Sequence, residues 1–167
     1  HVSAVPNHQV ARMTSLKMRA EVAFFGTFGY ELDVTKLSEI EKKDIREQII
    51  QFKSHQELIQ QGDFYRLMSP FESNEVSWMV VSKDKSEALV GYYQILAKPN
   101  QKYERIKLKG LNRDLYYKIN GSTGRYGDDL EELGIILGGN YIDRNNEYWQ
   151  REVPGDFSSK LFYLNAK

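Results

Sequence analysis

The sequence predicts an α+β chain that is mainly β, in which one buried strand and one long helix are followed by an antiparallel β-sandwich. Three observations carry that expectation. Apolar and aromatic residues run without alternation from Val22 to Glu31, a capped helical pattern starts at Ser38, and after Gly62 short apolar runs are separated by turn residues with no further helical pattern between them.

The run VAFFGTFGYE at 22–31 lacks the period-two pattern of a half-exposed strand. It therefore reads as an interior strand covered on both faces in a parallel sheet. Ser38 followed by Glu41 is a capping box, in which each side chain satisfies a free backbone amide of the first helical turn. The helix then runs to about Gln61. Ile45, Ile49, Phe52 and Ile59, with Ile50 and Leu58 beside them, recur at helical spacing, while Lys42, Lys43, Arg46, Glu47 and Lys53 fall largely on the wet side. Gly62 is the expected stop, taking up the left-handed conformation. A buried strand followed by an amphipathic helix is half of a βαβ unit.

Beyond Gly62 the strand-like runs are FYRLM at 64–68, VSWMVVS at 76–82, EALVGYYQIL at 87–96, YERIKL at 103–108, LYYKI at 115–119 and KLFYL at 160–164. Pro70 with Asn74, Lys83-Asp84-Lys85, Pro99 with Asn100, Gly110 with Asn112, and Asn120-Gly121 supply the turns. Short strands at such spacing read as an antiparallel sandwich or barrel. The boundary falls near Gly62, giving residues 1–61 and 62–167 as two parts.

The composition supports a folded core: 41% of the 167 residues are hydrophobic and 28% charged. Lys plus Arg equals Asp plus Glu at 23 each, so no bulk field draws the chain to nucleic acid or anionic lipid. Cysteine is absent, which excludes disulfides and thiolate metal sites. No apolar run reaches the roughly 20 residues of a membrane helix, and the opening HVSAVPNHQV has no signal-peptide pattern. The cytoplasm is the expected compartment. A chain that opens at His1 without a methionine reads as a piece cut from a longer protein.

His1 and His8 do not match zinc spacing, so neither a metal site nor a cofactor is expected. His55 lies within the helical pattern and reads as a solvated or satisfied helix residue. Pro6-Asn7-His8-Gln9 gathers donors and acceptors of the kind that recognise sugar hydroxyls, although polar loops of this composition are commonly only loops. Glycosidases need two carboxyl groups about 5–5.5 Å apart in the retaining class. Asp128 with Asp129 and Glu131 with Glu132 lie in YGDDLEELG, which reads as a turn-rich segment, and Glu39 with Glu41 belongs to a helix start that favours negative charge. None reads as a catalytic pair. The 11 Tyr, 8 Phe and 2 Trp could stack on a carbohydrate, but Trp78, Tyr92, Tyr93, Tyr116, Tyr117, Phe162 and Tyr163 fall inside strands and read as sandwich core.

In wording and order, HVSAVPNHQ at 1–9, RMTSLKMRAEVAFFGTFGYELD at 12–33, GDFYRLMSPFE at 62–72, WMVVSKDKSEALV at 78–90, YGDDLEELGI at 126–135 and GDFSSKLFYL at 155–164 resemble the C-terminal end of bacterial family 36 α-galactosidases. The resemblance implies residues 1–61 as the end of a (β/α)₈ catalytic barrel and 62–167 as the C-terminal β-domain. It implies a retaining parent enzyme that hydrolyses terminal α-galactose from melibiose and raffinose, with both catalytic aspartates upstream of His1. The chain alone would then be non-catalytic, and the parent a homo-oligomer. On that reading Val22 to Glu31 is the last barrel strand, HVSAVPNHQ follows the seventh strand, and this loop with Thr27 to Glu31 lies on the active-site face. His1, Asn7 and His8 are the expected wall residues. A carbohydrate-binding or oligomer-interface sandwich is the alternative. Ala11 and Ala20 stand where the family more often has glycine, and Gly138 to Glu152 departs from the usual closing segment.

Overall fold

The computed structural model describes residues 1–99, 104–137 and 155–167. It begins with a βαβα run. Strand β1 (Val2–Ser3) leads through helix α1 (Leu16–Ala23) to strand β2 (Tyr30–Glu31), and a 3₁₀ turn at Val34–Lys36 precedes helix α2 (Glu39–Gln61). The two strands pair in parallel, with Val2 opposite Tyr30 and Ser3 opposite Glu31. Two parallel strands joined by a helix are the repeating unit of a βα barrel.

The expected long strand over 22–31 is corrected here. Its first residues close α1, which Ser15 caps by accepting a hydrogen bond from the Met18 amide, and only Tyr30 and Glu31 are strand. A continuous apolar run fits a buried strand or a buried helix end equally well, and tertiary partners decide. In this chain neighbouring aromatics part company. Phe24 turns into a cluster with Phe28 and Phe52, while Phe25 reaches Trp78 and Phe64 on the sheet. Val2 and Ser3 are themselves strand, so only the residues after Ser3 follow the first strand of the pair.

Helix α2 matches its pattern except at Ile50, which is exposed rather than turned to the apolar face. Ser38 Oγ accepts from the Glu41 amide at 3.3 Å and Glu41 Oε2 accepts from the Ser38 amide at 2.8 Å, completing the capping box. Phe52 and Leu58 are buried. Gly62 ends the helix, but not in the expected conformation, because its φ is −71° and its ψ 170°. Glycine is needed there for space: a Cβ would lie 2.6 Å from Leu58 O, 2.6 Å from Val80 Cγ2 and 2.7 Å from Val81 O.

After Gly62 come β3 (Asp63–Met68), β4 (Glu75–Val81), β5 (Glu87–Gln94), β6 (Glu104–Ile106), β7 (Tyr116–Ile119), β8 (Arg125–Tyr126), α3 (Gly127–Glu132), β9 (Ile135–Leu137) and β10 (Ser158–Ala166). The main sheet is six-stranded in the order β3-β4-β5-β10-β7-β8, all antiparallel, and β6 pairs with β9 in a second, two-stranded sheet. The turn at Asn120-Gly121 has positive φ at both residues, 49° and 74°, as an Asn-Gly pair allows. The expected turn-rich segment YGDDLEELG is instead largely helix α3, with Leu130 fully buried as the reason it coils inward. The atypical stretch Gly138 to Glu152 lies outside the described residues.

The main sheet is a middle layer. Met79, Val81, Ala88, Val90, Tyr92 and Leu164 on one face pack with Ile106, Leu108, Ile135 and Leu137 of the smaller sheet and its flanks, closing a β-sandwich. The opposite face carries Val80 and Leu89 against Leu58 of α2, and Val76 and Tyr93 against Met18 of α1. Burying each such aliphatic side chain stabilises the fold by about 1.5–3 kcal/mol. The helices therefore dock on the sandwich through a largely apolar seam.

Candidate functional site

In βα units the residues beyond the carboxyl ends of the strands form the functional face. Here those are the loop from Ala4 to Ser15 and the segment from Leu32 to Ser38. Thr27 to Gly29 lead into β2 and so sit at the opposite end, which corrects their expected placement.

Alternation along the paired strands sorts the side chains. Val2 and Tyr30 face the helices, within the cluster that holds Phe24 and Phe52. His1 and Glu31 therefore face the other way, where His1 Nε2 lies 2.5 Å from Glu31 Oε2. Both remain largely exposed, at 61% and 67%. The sequence places Glu31 on the expected active-site face only as the end of the 27–31 stretch and does not single it out, although an acid closing an apolar, aromatic run was the available signal.

Asn7 shapes its own loop. Its Oδ1 accepts from the amides of Gln9 at 3.0 Å and Val10 at 3.2 Å, an Asx turn, while its backbone amide donates to Arg12 O at 2.9 Å. The Ala11 amide donates back to Asn7 O at 2.7 Å, with Ala11 at φ 52°. That is the left-handed region, which explains why glycine is expected there more often. His8 is exposed in this turn. The structure thus brings His1 and Glu31 together and sets Asn7 and His8 in a separate turn of the loop after β1.

At the same face Arg19 of α1 and Glu41 of α2 influence each other electrostatically. The Arg19 guanidinium on α1 donates to Ser3 O, and its pKa is pulled down by burial, an effect that the Glu41 carboxylate on α2 opposes. Glu41 is held below the usual range first by its bonds from Ser38 and then by Arg19. His55 of α2 is half-buried and lies over Tyr163, ring centroids 4.5 Å apart, with its pKa lowered mainly by burial, so it packs against the sheet rather than standing in a site.

Among the described residues, the carboxylates singled out in the sequence are held in other contacts. Arg113 binds Glu131 at 3.2 Å and Glu132 at 3.3 Å, Lys42 binds Glu39 at 2.8 Å, and Asp128 Oδ1 accepts from the Asp129 amide. A glycosidase general acid has a raised pKa. Where the surroundings displace a carboxylate here, at Asp33, Glu39, Glu41 and Asp84, they push it down, through hydrogen bonds that favour the charged form. Among the described residues no group of three or more His, Asp or Glu could hold a metal ion, and no helix is long and apolar enough to cross a membrane. Of the aromatics expected in the core, Tyr92, Tyr93 and Tyr117 are buried, Trp78, Phe162 and Tyr163 are half-buried against it, and Tyr116 is half-buried with its ring edge-on to the exposed Tyr126. The Tyr93 hydroxyl donates to Glu21 O at 2.8 Å and the Tyr117 hydroxyl to Lys85 O at 2.7 Å.

A parallel βαβα run docked on the face of an antiparallel sandwich defines the class: the last units of a (β/α)₈ barrel with a C-terminal β-domain. Residues 1–62 match the Melibiase model and residues 75–164 the model of the glycosyl hydrolase family 36 C-terminal domain. The α-galactosidase AgaA of Geobacillus stearothermophilus is 52% identical over 137 residues, 82% of this chain and 19% of the relative. Alpha-galactosidase 1 of Pediococcus pentosaceus is 36% identical over 99% of this chain and 21% of its own length. The crystal structure of AgaA superposes on all of this chain with a TM-score of 0.89 at 46% identity, using 21% of its own chain. The chain belongs to glycosyl hydrolase family 36, and it spans about a fifth of the length of the relatives it matches.

Proposed function

We propose that this chain is the C-terminal region of an α-galactosidase, in which residues 1–61 complete the catalytic barrel and 62–167 form the β-domain that backs it. The observation that carries the reading is the two family matches laid end to end, at 1–62 and 75–164, in the same arrangement as a solved α-galactosidase. One solved relative is a variant of AgaA in complex with raffinose, which supports α-linked galactosides as the substrates of the parent. The match of residues 75–164 to a C-terminal domain model, in a chain that spans about a fifth of its relatives' length, supports a structural role for this region.

Within it, His1, Asn7 and His8 are wall residues of the sugar site. His1 supports this by facing away from the helices beside Glu31, and Asn7 and His8 by lying in the loop beyond β1. The parent is a cytoplasmic homo-oligomer, with the exposed Phe71 as surface that a subunit contact would cover. Light scattering on the full-length enzyme reads the mass, and a monomer would remove the oligomer.

The test of function uses nitrophenyl α-galactoside. The 167-residue chain should show no turnover and the full-length protein should hydrolyse it. Hydrolysis by the chain itself after removal of contaminating enzyme would overturn the structural role, and an inactive full-length protein would overturn the α-galactosidase reading.

A further inference from the structure

The loop after β1 is a closed turn from Asn7 to Arg12, and its outward end meets the sandwich. The Arg12 guanidinium carbon stands 4.8 Å from the centroid of the Phe157 ring, within the range of a cation–π contact. Arg12 belongs to the barrel part and Phe157 immediately precedes β10 of the β-domain. The two are far apart in sequence and share no secondary structure.

Phe157 is half-buried against the sandwich. Its φ is 53°, which costs a non-glycine residue energy that the surroundings must supply. The Phe157 amide donates to Ile95 O at 3.0 Å, and the neighbouring Asp156 Oδ1 accepts from the Ala97 amide at 2.7 Å. Its ring packs with Met18, Val76 and Tyr93, so the same cluster that docks α1 on the sheet holds it in place. Arg12, by contrast, is exposed and joined to the turn by its own carbonyl, which accepts from the Asn7 amide at 2.9 Å. A ring packed on the sandwich on one side and a polar turn on the other make the contact a tether rather than a core element.

We propose that Arg12 is a positioning residue, through which the β-domain holds the turn bearing Asn7 and His8 in place at the sugar site. The proposal rests on the α-galactosidase reading above. A loose turn presents its polar groups in many arrangements, and substrate binding must then order it. The tether does that ordering beforehand and so lowers KM without taking part in bond breaking.

The experiment compares full-length wild-type enzyme with Arg12→Ala, Phe157→Leu, the double variant and Arg12→Lys. Leucine keeps an apolar side chain in the cluster while removing the π face. An exposed cation–π contact corresponds to roughly a two- to fivefold change in an equilibrium constant. The KM for melibiose should rise roughly that much in each single variant, with kcat and Tm near wild type. Arg12→Lys should recover part of the loss, and the double variant should be no worse than either single one, as coupled residues require. Unchanged KM in both singles, or additive losses in the double, would overturn the proposal, as would a fall in Tm that accounts for the whole effect. Hydrogen exchange at the amides of Gln9, Val10 and Ala11 reads the tether separately: they should exchange faster in Arg12→Ala and Phe157→Leu. Unchanged exchange overturns the tether, whereas an intact tether in a wild-type enzyme without turnover sinks only the α-galactosidase reading.

Discussion

Replacing Gly62 by alanine tests why α2 ends where it does. The new methyl carbon would meet Leu58 O at 2.6 Å, Val80 Cγ2 at 2.6 Å and Val81 O at 2.7 Å. Two of these three atoms are backbone, one in the last turn of α2 and one in β4, so the strain cannot be relieved by a rotamer change. Overpacking of this kind costs about 1–3 kcal/mol. Alanine restricts the unfolded chain and, at a φ of −71° that it adopts without strain, returns about 0.4–1 kcal/mol. The net expectation is a loss of about 1–2 kcal/mol, since the steric cost exceeds the entropic gain. For a chain of this size that lowers Tm by about 2–4 °C per kcal/mol. Urea denaturation of the 167-residue chain measures it. Gly62→Asn is the informative control, because asparagine tolerates a left-handed residue but not a crowded one. A Gly62→Ala variant as stable as wild type, or a Gly62→Asn variant clearly more stable than Gly62→Ala, would refute the argument from space and restore the left-handed one.

Tyr117→Phe should cost about 0.5–1.5 kcal/mol, because it removes the hydroxyl that donates to the Lys85 carbonyl at 2.7 Å and accepts from the Asn112 amide at 2.9 Å, at the part-buried margin of the core. A urea midpoint equal to wild type would contradict it. Asp84 is held down to about 2, first by the Ser82 hydroxyl and then by the Ser86 amide and hydroxyl, from an ordinary 3.8. Its folded form therefore binds a proton less readily than the unfolded one, so its contribution is present above about pH 4 and disappears as the pH falls through about 2. The stability difference between wild type and Asp84→Asn should shrink over that acid window, and a difference independent of pH would exclude the bonds from Ser82 and Ser86 as its source.

How much of the molecule was legible depended on the range of the forces involved. Helix α2 could be read because its signals are local: Ser38 and Glu41 cap each other within one turn, and Phe52 and Ile59 recur two helical turns apart on one face. The strands from Asp63 to Gln94 could be read because turn residues punctuate them, and Asn120-Gly121 takes the positive φ values that pair favours. The segment around Phe24 and Phe25 could not, since a continuous apolar run has no period from which to choose helix or strand. Its fate was settled by Phe52 on one side and Trp78 on the other, residues distant in the chain. Helix α3 was hidden because acidic residues suit turns and first helical turns alike, and burial of Leu130 tipped the balance.

The same division holds for the site. The sequence alone determined the family words, the helix with its cap, the run of antiparallel strands and the candidate residues His1, Asn7 and His8. Only the tertiary structure decided that His1 faces Glu31, that Asn7 spends its side-chain oxygen on its own turn, and that Arg12 lies over Phe157. Caps, turns and periodicity are set by neighbours a few residues apart and leave marks in the sequence. Which side of a two-residue strand a histidine occupies, and which ring an arginine reaches, depend on packing between elements far apart in the chain, and no local pattern records them.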